Sequence, residues 1–186
     1  MTLDIERQNF LDAELFQLTL SAVTQRGGVY RTNLSEAERR PVHRTLRKLL
    51  RDLSSQYANG SVSDDQHNAN IRNIAETVSQ LHSPLLRDDA FRIGSAQKAL
   101  NLHLKYLWCL EVIPMPPHCP FDAYVLREIP GWRTRRWTAI AAIDQYADLV
   151  AAARQVAGGT PLAEWELSVY NRNSIASSAP CSITRS

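Results

Sequence analysis

Between residues 112 and 120 the chain reads VIPMPPHCP, with four prolines in nine positions. Each proline lacks a backbone donor and has its φ locked, so this run can be neither helix interior nor inner strand. It predicts a stiff crossing, partly polyproline II, and whatever lies on either side must be joined across it.

The flanking sequence is patterned for helices. Residues 3 to 25 place Phe10, Leu11, Leu15 and Leu18 at helical spacing, and Gly27-Gly28 is a stop. Ser35-Glu-Ala-Glu38 has the form of a capping box, and Pro41, too deep for the first turn, predicts a short turn before a main helix from Val42 to Tyr57. Asp64 or Asp65 can cap a third helix carrying Ile71, Ile74, Val78 and Leu81. Gly94 predicts a turn and Ser95 an N-cap, opening a helix over 96–110, after which the proline run leads to Asp122 as the cap of a short helix ending at Pro130-Gly131. Ile143 to Val156 forms another helix, stopped by Gly158-Gly159. Thr160-Pro161 starts a last one, buried through Leu162, Trp165, Leu167 and Tyr170. With no repeat and no strand-rich stretch the fold class is all-α. Residues 1–172 are expected to form one helical domain, and 173–186, small, polar and patternless, a disordered tail.

Composition limits the function classes. Of the 186 residues 44% are hydrophobic and 22% charged, ordinary for a globular protein, and no apolar run is long enough to span a membrane. The N-terminus MTLDIERQNF has acids where a signal peptide has cations, so a cytoplasmic protein without a membrane partner is expected. Three cysteines, Cys109, Cys119 and Cys181, give no disulfide framework. His103, Cys109, His118 and Cys119 have no regular ligand spacing, so neither metal nor cofactor is expected.

A net charge of +2 says little, but the cations cluster. Arg40, Arg44, Arg47, Lys48 and Arg51 recur three or four residues apart beside the apolar stripe Val42, Leu46, Leu49, Leu50 and Leu53. Such a ridge either meets phosphates or is a solvated face. In WRTRRW, Arg133, Arg135 and Arg136 alternate with Trp132 and Trp137. The arginines can meet phosphates while a tryptophan stacks; otherwise the tryptophans anchor the core between solvated arginines.

Chemistry concentrates next to the proline run. With Ser95 as cap, Lys98 lies in the first helical turn, where the positive end of the helix dipole disfavours an ammonium. Lys105, two turns on, projects from nearly the same face with Asn101 between them, and a second cation favours a neutral, nucleophilic amine. Asp122, as a cap, stays ionised and could face a cationic transition state. Two snorkelling lysines and an ordinary cap are the plainer reading of the same residues.

Ile93-Gly94-Ser95-Ala96-Gln97-Lys98 followed by a helix and Pro120-Phe121-Asp122-Ala123-Tyr124-Val125 resembles the active-site region of helix-hairpin-helix DNA glycosylases, the superfamily of endonuclease III and the 8-oxoguanine glycosylases. There a Gly-x-Gly-x-Lys turn supplies a Schiff-base lysine, and a Pro-x-Asp motif supplies an essential aspartate. The resemblance covers about one fifth of the chain. It implies a two-lobed fold with a degenerate hairpin, Gly94 as its first glycine, Ala96 in place of the second, Lys98 as nucleophile and Asp122 as the aspartate. In the alternative register Lys105 is the nucleophile. The implied function is a monomeric DNA glycosylase, with lyase activity, acting on double-stranded DNA that carries a modified base. Lys98 and Asp122 would be catalytic, and Gly94, Ser95, Asn101, Trp132 and the clustered arginines and Lys48 would hold the substrate. Three cysteines exclude the four-cysteine iron–sulfur cluster of some relatives. An oxidised purine is the implied base; a phage-defence glycosylase acting on hypermodified cytosine is an alternative. So are a non-catalytic nucleic-acid-binding or adaptor module, and a helical nuclease using His67, His82 or His103, or a Cys119 nucleophile.

Overall fold

The computed structural model describes residues 3–178. They form α1 (Leu3–Gly27), α2 (Glu36–Ala58), α3 (Asp64–His82), α4 (Ile93–Cys109), α5 (Ala123–Glu128), α6 (Ile143–Ala157) and α7 (Leu162–Ser178), with short 3-10 turns at Ser83–Leu85, Arg87–Asp89 and Trp137–Ala139. No strand occurs among the described residues; one isolated bridge joins Tyr30 to Leu86. The fold is all-α. No described helix is long and apolar enough to cross a membrane.

The architecture is built around α4. From Ile93 to Lys105 every residue is buried, because α1, α2, α3, α6 and the 137–139 turn all pack on it. Such a helix should be apolar all round. Instead Gln97, Lys98, Asn101, His103 and Lys105 are buried within it, and most of them fix a neighbouring element by a hydrogen bond.

Several elements differ from what their sequence predicts. The α4 helix starts at Ile93 rather than Ala96, with Arg92 as a cap that offers no side-chain acceptor. Ser95 is therefore not the N-cap, and Gly94 is not a turn. A Cβ at Gly94 would lie 1.9 Å from the Trp137 carbonyl oxygen, so glycine is needed for close approach, not for a left-handed backbone. The Ser35 capping box forms, but α2 runs unbroken through Pro41: the stripe Val42, Leu46, Leu50, Leu53 and Tyr57 is buried along one face and outweighs the lost bond. Ser63, not Asp64 or Asp65, caps α3.

In α1 the buried face is Phe16, Leu20 and Val23, whereas Phe10, Leu11 and Leu18 are exposed. The buried face of α7 is likewise rotated from the expected one, to Leu162, Ala163, Glu166 and Val169, with Tyr170 exposed. Residues 173–178 continue α7 instead of beginning a disordered tail; 179–186 lie outside the described residues. The αL cap at Gly158, φ 60°, ends α6 as its sequence predicts.

Candidate active site

A single side chain, Gln97, aligns the site. Its Nε2 donates to the Phe121 carbonyl at 2.9 Å, and the Phe121 amide donates back to its Oε1 at 3.2 Å. This pins the end of the proline-rich crossing to the first turns of α4. The next residue on each side is then set face to face: Lys98 Nζ donates to Asp122 Oδ2 at 2.8 Å. Asp122 also caps α5, its Oδ1 accepting from the amides of Tyr124 at 3.0 Å and Val125 at 3.2 Å.

The pair is buried unequally, with side-chain exposures of 7% for Lys98 and 27% for Asp122. It faces a cavity of about 200 Å³ walled by Ser21, Ala22 and Gln25 of α1, Ala123 and Tyr124 of α5, and Trp137. Burial pushes the Asp122 carboxyl up, but the Lys98 ammonium, the hydrogen bond it donates and the two α5 amides outweigh that and hold it below the usual aspartate value. Asp122 is a carboxylate at neutral pH.

Lys105 does not reach this cavity. Its Nζ sits 2.7 Å from Glu166 Oε2 on α7, donates to Oε1 at 3.0 Å, and lies 4.5 Å from the Tyr170 ring centroid. Burial raises the Glu166 carboxyl above the ordinary glutamate value, and Lys105 only partly offsets this. Cys119 is fully buried; burial and then the Glu166 charge keep it a thiol, which removes it as a nucleophile.

Glu166 was not among the residues singled out from the sequence, although a signal was there. Leu162, Glu166 and Val169 are spaced four and three, so the carboxylate stands on an apolar helical face.

Asn101 also turns away from the cavity. Its Oδ1 pairs with His67 Nε2 at 2.8 Å and its Nδ2 donates to Tyr146 Oη at 3.0 Å. His67 meets Tyr57, and His118 bridges Tyr146 to Asp64, which Arg154 holds through both guanidinium nitrogens. Burial first lowers His67 to about 3 and His118 to about 4, so both are neutral members of a structural network. His82 lies elsewhere, 2.8 Å from Thr45 Oγ1, and His103 is buried with its Nδ1 unpartnered among the described residues. No His, Cys, Asp or Glu cluster among the described residues is arranged to hold a metal.

The expected phosphate-binding cations are divided. None of the α2 cations lines the Lys98 cavity. Arg44 and Arg51 are exposed, Arg47 pairs with Asp12 at 2.6 Å, and Lys48 pairs with Asp52. In the 132–137 loop Trp132 and Trp137 are both buried; Arg135 stacks 4.4 Å from the Trp132 ring centroid, and Arg133 is exposed. Arg136 and Ser95 line a second cavity, next along α4 from the first.

Neither a family model, nor a curated protein, nor a solved structure matches this chain.

Proposed function

We propose that the protein is a DNA glycosylase with lyase activity, acting at the Lys98–Asp122 pair. The observation that carries this reading is a lysine and an aspartate, 24 residues apart, held 2.8 Å from each other at the wall of a cavity that a flipped nucleotide could enter. In this reading α3, the 83–92 segment and α4 stand for a degenerate helix-hairpin-helix whose glycine, Gly94, lies inside α4 rather than in the hairpin, and the cavity is the cleft between two lobes.

The division of labour follows from the charges. As the N-glycosidic bond lengthens, positive charge develops on the sugar, and the Asp122 carboxylate faces it. The base leaves with the bonding electrons. The Lys98 ammonium passes its proton to the departing base, which leaves neutral while Asp122 stays a carboxylate, and the free amine attacks the anomeric carbon. Opening of the sugar gives a Schiff base; loss of a C2′ proton then forms the C2′=C3′ double bond as the 3′-phosphate leaves, which breaks the strand. The α1 wall and Trp137 limit water around the reacting centre.

Mass spectrometry of free bases released from a panel of modified duplexes, oxidised purines and glucosylated hydroxymethylcytosine included, identifies the substrate. Borohydride should then trap the protein on that duplex, and Lys98→Ala should abolish trapping. Base release that survives unchanged in both Lys98→Ala and Asp122→Asn overturns the reading.

A second reading rests on the completeness of the same ion pair. Lys98 and Asp122 satisfy each other and the α5 amides, as in a purely structural bridge, while Arg44 and Arg51 remain exposed on α2. A helical nucleic-acid-binding module without chemistry has these features, and it binds DNA in a salt-dependent way with no base released.

A further inference from the structure

The second cavity along α4, about 190 Å³, lies where three segments meet: the Gly28-Val29 turn, the 87–95 stretch and the 136–139 turn. Three arginines line it, Arg87, Arg92 and Arg136, with one carboxylate, Asp88. Arg92 binds that carboxylate and donates its other nitrogen to the Thr138 carbonyl at 3.3 Å, which neutralises Asp88 and fixes the wall. Arg87 and Arg136 have no carboxylate partner among the described residues.

The backbone positions Arg87 firmly: its amide donates to the Val29 carbonyl at 2.9 Å, and its guanidinium lies over Gly28, where a Cβ would come within 2.5 Å of Nη1. Ser95, itself only 4% exposed, also lines the cavity, and its hydroxyl has no hydrogen-bond partner among the described residues. A hydroxyl and two guanidinium groups that line one cavity, none with an acceptor of its own among the described residues, are a set of donors that lacks its acceptor. Helix amides do not supply the site. Those of Gly94, Ser95 and Ala96 are engaged by the carbonyls of Ile140 and Arg92.

We infer that this cavity is a phosphate-binding site in which the Arg87 and Arg136 guanidinium groups and the Ser95 hydroxyl donate to the oxygens. Tetrahedral phosphate suits this set better than a carboxylate, because it offers oxygens to two forks and to a hydroxyl donor. Ser95 and Lys98 are one helical turn apart on α4. On the glycosylase reading, with which this identification of the ligand stands, the phosphate is a strand phosphate next to the nucleotide that enters the Lys98 cavity.

The test compares the full chain with Arg87→Ala/Arg136→Ala, and with Arg7→Ala as a surface control, by fluorescence anisotropy on an unmodified duplex over a range of salt. A thermal melt checks folding, and Ser95→Ala serves as a second, milder variant. The double variant should bind at least about tenfold more weakly. The slope of log affinity against log salt should fall by about one, because both arginines grip the same phosphate.

In a second arm the ³¹P resonance of inorganic phosphate is followed with each protein. If the native chain binds no duplex but broadens that resonance, and the double variant does not, the source is a free phosphate; the site then stands and the DNA reading falls. Unchanged duplex affinity and slope in the folded double variant overturn the site, while borohydride trapping through Lys98 can still succeed. Binding of neither duplex nor phosphate by the native chain overturns it as well.

Discussion

Lys98 and Lys105 leave the same helix two turns apart, and each meets a carboxylate, Asp122 in one case and Glu166 in the other. Asp122 has three donors and a cavity beside it; Glu166 is 4% exposed and has Lys105 as its donor. The carboxyls are accordingly shifted in opposite directions, Asp122 below its ordinary value and Glu166 above it. One residue type at one helical period can therefore supply either a poised pair or a sealed one. Solvent access and the number of donors on the partner decide which.

The largest effect separating the two pairs is in stability. Lys105→Met leaves Glu166 buried without a donor and should cost about 3–5 kcal/mol in urea unfolding, whereas Lys105→Met/Glu166→Leu should restore most of that. Lys98→Met should cost well under half as much, because the two α5 amides still hold Asp122. Equal losses at the two lysines would erase the distinction.

Activity should separate them the other way. Asp122→Asn is expected to lower base release at least about 100-fold, equivalent to about 2.7 kcal/mol, while Glu166→Gln changes it only a few-fold. Single-turnover release from the duplex identified by mass spectrometry measures both.

Gly94→Ala probes the cavity end alone. Its new methyl must displace the Trp137 carbonyl, and with it a wall of the Lys98 cavity, for a loss of about 1–3 kcal/mol in the same unfolding assay. The Lys105–Glu166 pair should be unaffected.

The finest comparison is by pH. Because the folded Asp122 pKa lies below the ordinary 3.8, its contribution to stability is present above 3.8 and is lost as the pH falls through the folded value. For Glu166 the sign reverses. Its folded pKa is above the ordinary 4.5, so the folded state holds the proton longer than the unfolded chain, and stability falls as the pH rises from 4.5 through the folded value. Carboxyl ¹³C titrations that place Asp122 below 3.8 and Glu166 above 4.5 would support this; any overlap of the two midpoints would break it.

Much of the scaffold could be read before the structure. The Ser35 box, the Asp122 cap, the Gly158 stop and the proline-rich crossing are local devices, and each acts through atoms within a few residues of itself. What escaped was set by packing. Arg92 caps α4 with no side-chain acceptor, so Ser95 looked like the start. Phe10, Leu11 and Leu18 carry helical spacing yet face outward, because α4 meets the Phe16, Leu20 and Val23 side of α1. Of the site, Lys98 and Asp122 were legible as a spacing and the structure brings them together. Asn101 and Lys105 share their helix but are turned to other partners, which only the placement of α3, α6 and α7 determines.

The reciprocal bond between Gln97 and Phe121 also bears on how this chain can tolerate change in length. Because Asp122 is fixed at its own end of the crossing, the exposed bend around Glu111, Val112, Pro114 and Met115 is free of any duty to measure the distance to Lys98. Extra residues between Pro114 and Met115 lengthen a closed loop, and the entropy of closure grows only logarithmically, by about 0.6 kcal/mol per doubling. That bend is thus a natural place to graft a reporter, a tether or a new binding loop between the two candidate reacting groups along the chain, leaving their spacing as it is.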